Sequence, residues 1–226
     1  MSTTDAGAHS VDVDALVVGV LGGTGEQGRG LALRLSAAGL RIVIGSRSAE
    51  RATAAAAELG NGVEGADNDE CASRSDVVIV AVPWDGHQEL LVQLREPLSG
   101  KFVIDCVNPL GFDKSGPFPL AVPEGSAVQQ AAALLPDSTV VGAFHHVSAV
   151  LLLDPEVATI DTDVLVVGDS RQGTDLAQAL AERIPGMRGV YAGRLRNAHQ
   201  IEAMTANLIA INRRYKAHAG LRVTDV

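Results

Sequence analysis

The sequence predicts an α/β protein, with a doubly wound parallel sheet followed by a small α/β C-terminal domain. Short continuous apolar runs recur along the chain, and such runs are typical of parallel strands that are buried on both faces. Segments with helical patterns separate the runs, as crossover helices do in a doubly wound sheet. The first run ends in a glycine-rich turn that leads directly into the first helical segment, which makes the predicted sheet Rossmann-type.

Five apolar runs predict the strands of the first domain, at residues 15–21, 41–44, 77–82, 102–106 and 140–144. The segment 28–39 carries an apolar face and ends at a glycine, so it predicts the first helix. Residues 48–59 predict the second helix, because Ser48 can cap its start and alanine has the highest helix propensity. Further helices are predicted at 68–75, 84–94 and 126–135.

The segment 111–123 is rich in glycine and proline and is expected to form a long loop on the side of the sheet where the strands end. Residues 150–156 are expected to link two domains. The remaining pattern predicts strands and helices at 164–167, 174–183, 189–192 and 197–215. The predicted organisation is a flexible tail at 1–14, a nucleotide-binding Rossmann domain at 15–150 and a small domain at 151–226.

Composition and charge argue against several classes of protein. The formal net charge of -9 disfavours nucleic-acid binding, which needs clustered basic side chains. No apolar run approaches the roughly 20 residues that cross a bilayer, and residues 1–14 lack the pattern of a signal peptide. Cys71 and Cys106 form no zinc-binding pair, and the adjacent His145 and His146 would point to opposite faces of a strand. We expect a cytoplasmic protein with small-molecule partners and without metal, nucleic acid or membrane contact.

The glycine turn predicts a dinucleotide site. Gly23, Gly25 and Gly28 have the G-x-G-x-x-G spacing and lie between a predicted strand and a predicted helix. The first glycine permits a tight turn, the second lets the backbone approach a pyrophosphate, and the third lets the helix pack close to the strand. Phosphates would lie at the helix N-terminus, where free N–H groups favour negative charge. Glu26 and Gln27 belong to the same expected site.

The residues after the second strand decide between NAD and NADP. Enzymes that use NAD usually carry Asp or Glu there, whereas this chain has Ser46 and Arg47, with Arg51 one helical turn later. A 2′-phosphate needs cationic and hydroxyl donors, and a carboxylate would repel it. Thr24 can add a hydroxyl from within the glycine turn. The sequence therefore predicts NADP(H), the alternative being that both arginines are ordinary solvated charges.

Other candidate binding residues follow the later strands, namely Val82, Pro83, Trp84, Asn108, Pro109, His145, His146 and Val147. The single tryptophan either covers a ring or fills a domain interface. A histidine at a strand end is either a proton donor or hydrogen-bond partner for substrate, or a satisfied structural group. No Ser-His-Asp set or carboxylate pair stands out. The predicted site is therefore better suited to positioning two ligands, which is what hydride transfer between carriers mainly requires.

Six motifs, taken in order, resemble those of the NADPH:F-420 oxidoreductase family: GVLGGTGEQGRGLALRL, IGSR, VPW, NPL, AFHHVSA and AGRLRNAHQIEAMT. That family exchanges hydride between NADP and the deazaflavin coenzyme F-420, and the resemblance covers nearly all of the chain from Leu16 onward. It implies that the 2′-phosphate is held by Thr24, Ser46, Arg47 and Arg51. It also implies that the C-terminal domain closes an F-420 cleft and joins a homodimer, with the deazaflavin against the nicotinamide near VPW, NPL and AFHHVSA.

The chain departs from the family's pattern after the last of the predicted main-domain strands. Some relatives read His-Thr-Ile-Pro where this chain reads HHVS at 145–148, and Leu151 stands where those relatives have a basic residue. The residues that hold the acidic tail of F-420 are thus left open. Lys114, Arg194 and Arg196 are candidates because of their charge.

Together with this resemblance, the sequence predicts a cytoplasmic homodimeric oxidoreductase that moves hydride directly between NADP(H) and coenzyme F-420, in either direction. One rival interpretation keeps NADPH and changes the acceptor to a flavin, ferric iron or a cyclic imine. Another is a non-catalytic module that senses NADP and binds a protein through its second cleft. The missing acid–base pair fits the sensor and hydride transfer equally well.

Overall fold

The computed structural model describes residues 12–226. Its strands, in chain order, are β1 Val17–Leu21, β2 Arg41–Ser46, β3 Glu64–Asp67, β4 Val77–Val80, β5 Phe102–Asp105, β6 Leu110–Asp113, β7 Gly116–Pro119, β8 Thr139–Gly142, β9 Thr162–Gly168 and β10 Met187–Gly193. Its α-helices are α1 Glu26–Ala37, α2 Ala49–Leu59, α3 Asn68–Arg74, α4 His87–Gln93, α5 Ala127–Leu134, α6 Ala149–Leu153, α7 Arg171–Glu182 and α8 Ala198–Tyr215. Single 3-10 turns at Trp84–Gly86 and Leu195–Asn197 precede α4 and α8.

Eight of these strands form one sheet in the order β10-β9-β8-β5-β4-β1-β2-β3. Neighbouring strands are parallel except β8 and β9, which are antiparallel. From β1 the chain passes outward through β2 and β3, and then returns to the other side of β1 at β4. The crevice beyond the carboxyl ends of β1 and β4 is thus the topological switch point, where open α/β sheets bind ligands.

Two hydrophobic clusters cover the two faces of the sheet. Successive strand residues point to opposite faces, so Ile42 and Ile44 belong to one cluster and Val43 to the other. Side chains from α1, α2 and α7 complete the first cluster, and side chains from α3, α4, α5 and α8 complete the second. The sheet is therefore buried on both faces, and the predicted fold class is confirmed.

Three local predictions need correction. The strand β3 lies outside every predicted strand, because its sequence EGAD carries almost no apolar signal and depends on pairing with β2. The segment 111–123 is not wholly a loop, since β6 and β7 form an antiparallel hairpin. Its turn is closed by the Asp113 carboxylate, which accepts hydrogen bonds from the backbone N–H groups of Ser115 at 2.7 Å and Gly116 at 3.1 Å.

The predicted link at 150–156 also contains a helix that the sequence analysis did not predict, because residues 149–153 form α6. Its carboxyl end is held by the Arg34 side chain of α1, which donates hydrogen bonds to four backbone carbonyl oxygens, those of Leu151, Leu152, Asp154 and Val157. Free carbonyls at the end of a helix need such donors. The long-range partner explains why the sequence pattern alone reads as a linker.

The predicted domain boundaries stay predictions. Residues 1–11 of the predicted tail lie outside the described part of the chain, and Val13, the first hydrophobic residue within it, packs in the core. Beyond residue 150, β9 pairs with β8, so the strands of the expected small domain extend the main sheet. None of the helices described for residues 12–226 is long and apolar enough to cross a membrane.

Candidate active site

The glycine turn joins β1 to α1 at the switch point. A Cβ added to Gly28 would lie 2.5 Å from the carbonyl oxygen of Gly22, so a larger residue would push α1 away from the turn. Gly25 is the N-cap residue of α1, and no side chain caps this helix end. The backbone N–H groups of the first turn therefore remain open to an anion.

A cleft of about 650 Å³ lies against this turn. It brings together seven predicted residues from three strand ends, namely Thr24, Gly25, Ser46, Arg47, Arg51, Val82 and Pro83. The other predicted site residues do not line this cleft: Gly23, Glu26, Gln27, Gly28, Trp84, Asn108, Pro109, His145, His146 and Val147. The structure thus assembles the expected nucleotide site from separate elements and leaves the expected second-carrier residues outside it.

One end of the cleft is cationic. Arg47 and Arg51 are exposed, and no carboxylate of residues 12–226 lies within ion-pair distance of either guanidinium. Ser46 is buried beside them, and its hydroxyl oxygen accepts a long hydrogen bond of 3.4 Å from the backbone N–H of Ser48. Two unpaired guanidinium groups and two hydroxyls, from Ser46 and Thr24, form a donor set suited to a phosphate.

Ser48 holds this end of the cleft in place. Its side chain caps α2, as predicted, by accepting a hydrogen bond from the backbone N–H of Arg51 at 3.3 Å. The same hydroxyl donates to Glu50 at 2.6 Å. The cap fixes the first turn of α2, and with it the backbone from which Arg51 extends.

The opposite rim of the cleft is acidic, because Asp85 and Glu89 line it. A bound molecule with one strongly anionic end is favoured with that end at Arg47 and Arg51 and disfavoured in the reverse orientation. The charge difference between the two ends of the cleft would orient NADP(H) with its 2′-phosphate at the two arginines.

Asn68 is a cleft residue that the sequence interpretation missed. It is the first residue of α3, directly after the unpredicted strand β3, and its Oδ1 atom is buried without a hydrogen-bond partner in the described part of the chain. A buried polar atom without a partner is costly, and a ligand donor can satisfy it. The signal that would have found it is its position at the carboxyl end of β3, which requires the strand itself to be recognised.

The predicted residues after β5 and β8 form a second set of contacts. Asn108 donates a hydrogen bond of 2.7 Å from Nδ2 to the backbone carbonyl of His145. The Thr205 hydroxyl of α8 lies 3.1 Å from the same carbonyl and 3.4 Å from Asn108 Oδ1. Thr205 was not predicted, because only the tertiary structure brings α8 to this edge of the sheet.

The two adjacent histidines are both buried but have different surroundings. Neither ring nitrogen of His145 has a hydrogen-bond partner among the residues that the structure describes, and burial lowers the pKa of His145 to about 4. His146 donates from Nε2 to the backbone carbonyl of Asp163 at 2.7 Å, and burial lowers its pKa as well. Both rings are therefore neutral at physiological pH, so neither carries a proton that it readily gives up.

A buried polar network lies beneath the turn after β4. His87 Nε2 is 2.6 Å from Asp105 Oδ2, His87 Nδ1 is 3.1 Å from Gln130 Oε1, and all three side chains are buried. The His87 ring also stacks on Trp84 with a centroid separation of 5.5 Å. The sequence interpretation singled out Trp84 but neither His87, three residues after it, nor Asp105, the last residue of β5.

The two cysteines take no part in these sites. Cys71 and Cys106 are buried free thiols, and burial raises the pKa of Cys71 to about 12 and that of Cys106 further. Among residues 12–226, no group of three or more histidine, cysteine, aspartate or glutamate side chains is placed to hold a metal ion.

Comparison with known proteins identifies the family of the chain. Residues 17–109 match the family model described as "NADP oxidoreductase coenzyme F420-dependent". The chain is 39% identical over 221 residues to the F420-dependent NADP reductase of Methanothermobacter marburgensis, an alignment that covers 92% of this chain and 98% of the relative. A crystal structure of a protein from Arthrobacter sp. FB24, provisionally described as an F420-dependent NADP reductase, superposes with a TM-score of 0.78. It is 24% identical, and the match covers 92% of this chain and 98% of that one, which supports the fold.

A more distant similarity concerns one of the rival interpretations. The chain is 30% identical over 207 residues to the metalloreductase STEAP3 of Rattus norvegicus. That match covers 91% of this chain but only 40% of the relative. The chain therefore spans less than half the length of this metalloreductase, whereas it spans nearly all of the archaeal reductase.

Proposed function

The chain belongs to the family of coenzyme F-420-dependent NADP oxidoreductases, and we propose on this basis that the cleft at its glycine turn binds NADP(H) for hydride exchange with F-420. The chain is an oxidoreductase whose two carriers are NADP(H) and coenzyme F-420. The observation that carries the site assignment is a pair of arginines, Arg47 and Arg51, that have no carboxylate partner among residues 12–226. They lie at the cationic end of a cleft that begins at an uncapped helix N-terminus.

The cleft fits the nucleotide on three further counts. The open N–H groups at the start of α1 suit the pyrophosphate, and Ser46 and Thr24 add hydroxyl donors beside the two guanidinium groups. The buried Asn68 Oδ1 offers an acceptor to a donor on the adenosine, such as a ribose hydroxyl or the adenine amino group. The acidic rim at Asp85 and Glu89 keeps the 2′-phosphate at the arginine end, so Val82 and Pro83 would face the nicotinamide.

We place the second carrier at the adjoining carboxyl edge, near Trp84, Asn108, Pro109 and residues 145–147. Support comes from the contacts among Asn108, Thr205 and the carbonyl of His145, which join three elements at this edge. Arg194 and Arg196 are exposed just before α8, which suits an anionic carrier, whereas Lys114 lies on the β6–β7 hairpin.

The mechanism requires positioning more than acid–base chemistry. The nicotinamide and the deazaflavin supply the hydride donor and acceptor when both are bound. The chain's own residues anchor the phosphates, form the apolar wall at Val82 and Pro83, and exclude water from between the two rings. In the direction of F-420 reduction, NADPH, F-420 and one proton yield NADP⁺ and reduced F-420, and the reverse direction releases that proton.

We also propose that the protein works as a homodimer in the cytoplasm. The exposed hairpin β6–β7 lies against α8, and together they expose four large apolar side chains, those of Phe112, Phe118, Ile211 and Tyr215. Exposed apolar side chains that cluster in this way are typical of an interface between subunits. Two buried free cysteines fit a reducing compartment.

The deciding experiment is a direct assay of the purified protein with NADPH and F-420, in which the absorbance and fluorescence of the deazaflavin are followed. Loss of both signals at the rate of NADPH oxidation is expected. A flavin, ferric iron and a cyclic imine tested in parallel provide the comparison. No deazaflavin signal, with turnover of another acceptor, would contradict the proposal. Tight NADPH binding without turnover of any carrier would favour a sensor.

A further inference from the structure

The buried network at His87 has a defined charge state. Both ring nitrogens of His87 face oxygen atoms, Nε2 facing Asp105 Oδ2 at 2.6 Å and Nδ1 facing Gln130 Oε1 at 3.1 Å. The orientation of the Gln130 amide is fixed in turn, because its Nε2 donates to Glu124 Oε2 at 3.2 Å. A ring that meets an acceptor on both sides can donate to both only when it carries both protons, so this geometry favours the imidazolium form of His87.

The surroundings support this charge. Burial by itself lowers the pKa of His87, but the Asp105 carboxylate and the two hydrogen bonds outweigh burial and raise it. Asp105 is in turn fixed by the backbone N–H of Val107, which donates to its Oδ1 at 2.9 Å. The other ionisable groups that act on the pair are Glu202 of α8, the neutral ring of His145 and the buried thiol of Cys106. A buried histidinium between a carboxylate and an amide is held in one position by charge-assisted hydrogen bonds.

Trp84 rests on this fixed ring. The two rings are stacked with a centroid separation of 5.5 Å and an interplanar angle of 29°. Trp84 opens the single 3-10 turn Trp84–Gly86, and the residues around it, Pro83, Asp85 and Gly86, line the nucleotide cleft. The orientation of the tryptophan and the position of this cleft wall are therefore linked through one short turn.

We propose that His87 is a positioning residue, which as an imidazolium held by Asp105 and Gln130 fixes Trp84 and the turn Trp84–Gly86 that forms one wall of the nucleotide cleft. The inference rests on the proposed function of that cleft. His87 acts through the turn and touches neither carrier. The charge makes the position rigid, because moving the ring would separate a buried ion pair.

The single tryptophan of the chain gives a readout of this stack without any substrate. An imidazolium in contact with an indole quenches its fluorescence, whereas a neutral imidazole quenches much less. The emission of the free wild-type protein should therefore be low at neutral pH and should rise at alkaline pH, when His87 loses its proton. His87→Gln should be brighter at pH 7 and should show no such rise. His218→Gln, which changes an exposed histidine, should behave like the wild type.

Two further variants identify the group that titrates. Asp105→Asn removes the negative charge that raises the pKa of His87, so the fluorescence transition should move to lower pH. Glu202→Gln should leave a transition in place but move it slightly to lower pH, since Glu202 makes no hydrogen bond to the ring and acts on it only through its charge. A wild-type transition that Asp105→Asn does not shift, or that Glu202→Gln abolishes, would overturn the proposal. These measurements decide it even if His87→Gln does not fold.

Kinetic measurements on His87→Gln distinguish a positioning role of His87 from a purely structural role. In His87→Gln we expect kcat for F-420 reduction to fall by roughly one to two orders of magnitude, the effect of a small misplacement of reacting groups. KM for NADPH should change little, because the arginine end of the cleft is intact. A folded His87→Gln protein with wild-type emission and kcat would refute the role of His87. A wild type that is inactive with F-420 would instead refute the proposed function, and the fluorescence test would still stand.

Discussion

Arg47 is the residue on which the proposed binding of NADP(H) at the cleft depends most directly. It follows β2, where a carboxylate would favour NAD, and its guanidinium has no acidic partner among residues 12–226. An unpaired cation at the end of a cleft keeps its full capacity to bind an anion. The same side chain would be of little use for NADP binding if it were engaged with a neighbouring carboxylate.

Arg47→Ala should therefore weaken NADPH binding selectively. Loss of a hydrogen bond to a charged group costs about 1.5–3 kcal/mol, so we expect the dissociation constant of NADPH to rise by roughly one to two orders of magnitude. The dissociation constant of NADH should hardly change, because NADH lacks the 2′-phosphate. Fluorescence titration of both nucleotides measures this, with the exposed Arg171→Ala as a matched control. Equal losses for NADPH and NADH would show that Arg47 is structural.

Two side chains at the element scale join parts of the chain that are far apart in sequence. Arg34 of α1 satisfies four carbonyl oxygens at and beyond the end of α6, at distances of 2.7 to 2.8 Å. Glu202 of α8 accepts hydrogen bonds from the first backbone N–H groups of α5, those of Ala127 at 2.9 Å and Val128 at 3.1 Å. In each case one charged group substitutes for the missing partners at a helix end.

Arg34→Met should loosen the segment that follows residue 148. It keeps the apolar stem of the side chain but leaves four carbonyls without their donor, so we expect a loss of about 2–4 kcal/mol in the free energy of unfolding. Urea denaturation measures the loss, and hydrogen exchange should show faster opening of residues 149–157. The lysine of Arg34→Lys cannot reach all four oxygens at once. The free energy of unfolding of this variant should therefore lie between those of the wild type and Arg34→Met. Unchanged exchange in this segment would contradict the role given to Arg34.

Glu202 should make stability depend on pH. Burial raises its pKa from an ordinary value of 4.5 to about 7, against the effect of the two backbone hydrogen bonds. The folded state therefore binds the proton more tightly than the unfolded state, and the stabilisation from this group is complete below about pH 4.5 and is lost as the pH rises through about 7.

Urea denaturation of the wild type and of Glu202→Gln over this pH range tests the assignment. The difference in the free energy of unfolding between the two proteins should change in that window, with the wild type losing stability relative to the variant as the pH rises. The exposed Glu182→Gln serves as the control, since it should follow the wild type at every pH. A constant difference between wild type and Glu202→Gln would contradict the raised pKa.

At the scale of the whole molecule, the central sheet is covered, whereas one apolar part of the surface is not. The sheet is closed off on both faces by helices, whereas the hairpin β6–β7 and the end of α8 expose Phe112 by 62% and Tyr215 by 73%. Exposed aromatic side chains of this size are costly in water. The homodimer proposed above would bury them.

Phe112→Asp combined with Tyr215→Asp should therefore shift the protein from dimer to monomer. A charge placed at the centre of an apolar interface is expensive to bury, so the sedimentation coefficient should fall to that of a single chain. Val150→Asp, which adds the same charge at a 54% exposed position, is the control. A wild type that sediments as a monomer at all accessible concentrations would refute the dimer.

Much of the fold could be predicted because its signals are local. The apolar runs predict β1, β2, β4, β5 and β8 near their observed places, and the glycine spacing predicts the turn before α1. Strand β3 and the helix α6 could not be predicted, since the first has almost no apolar pattern and the second ends on Arg34 from a distant helix. Asn68 could not be predicted as a cleft residue for the same reason, because its position in the cleft depends on the unpredicted strand β3.

The sequence by itself determined the fold class, the glycine turn between β1 and α1 and the use of NADP(H), because each depends on residues that are neighbours along the chain. The tertiary structure alone decided which side chains meet. It paired His87 with Asp105, brought Thr205 to the carbonyl of His145 and buried both adjacent histidines in neutral form. The paired residues are 18 and 60 positions apart in the chain, and charge, burial and hydrogen bonding at such contacts depend on distance in space.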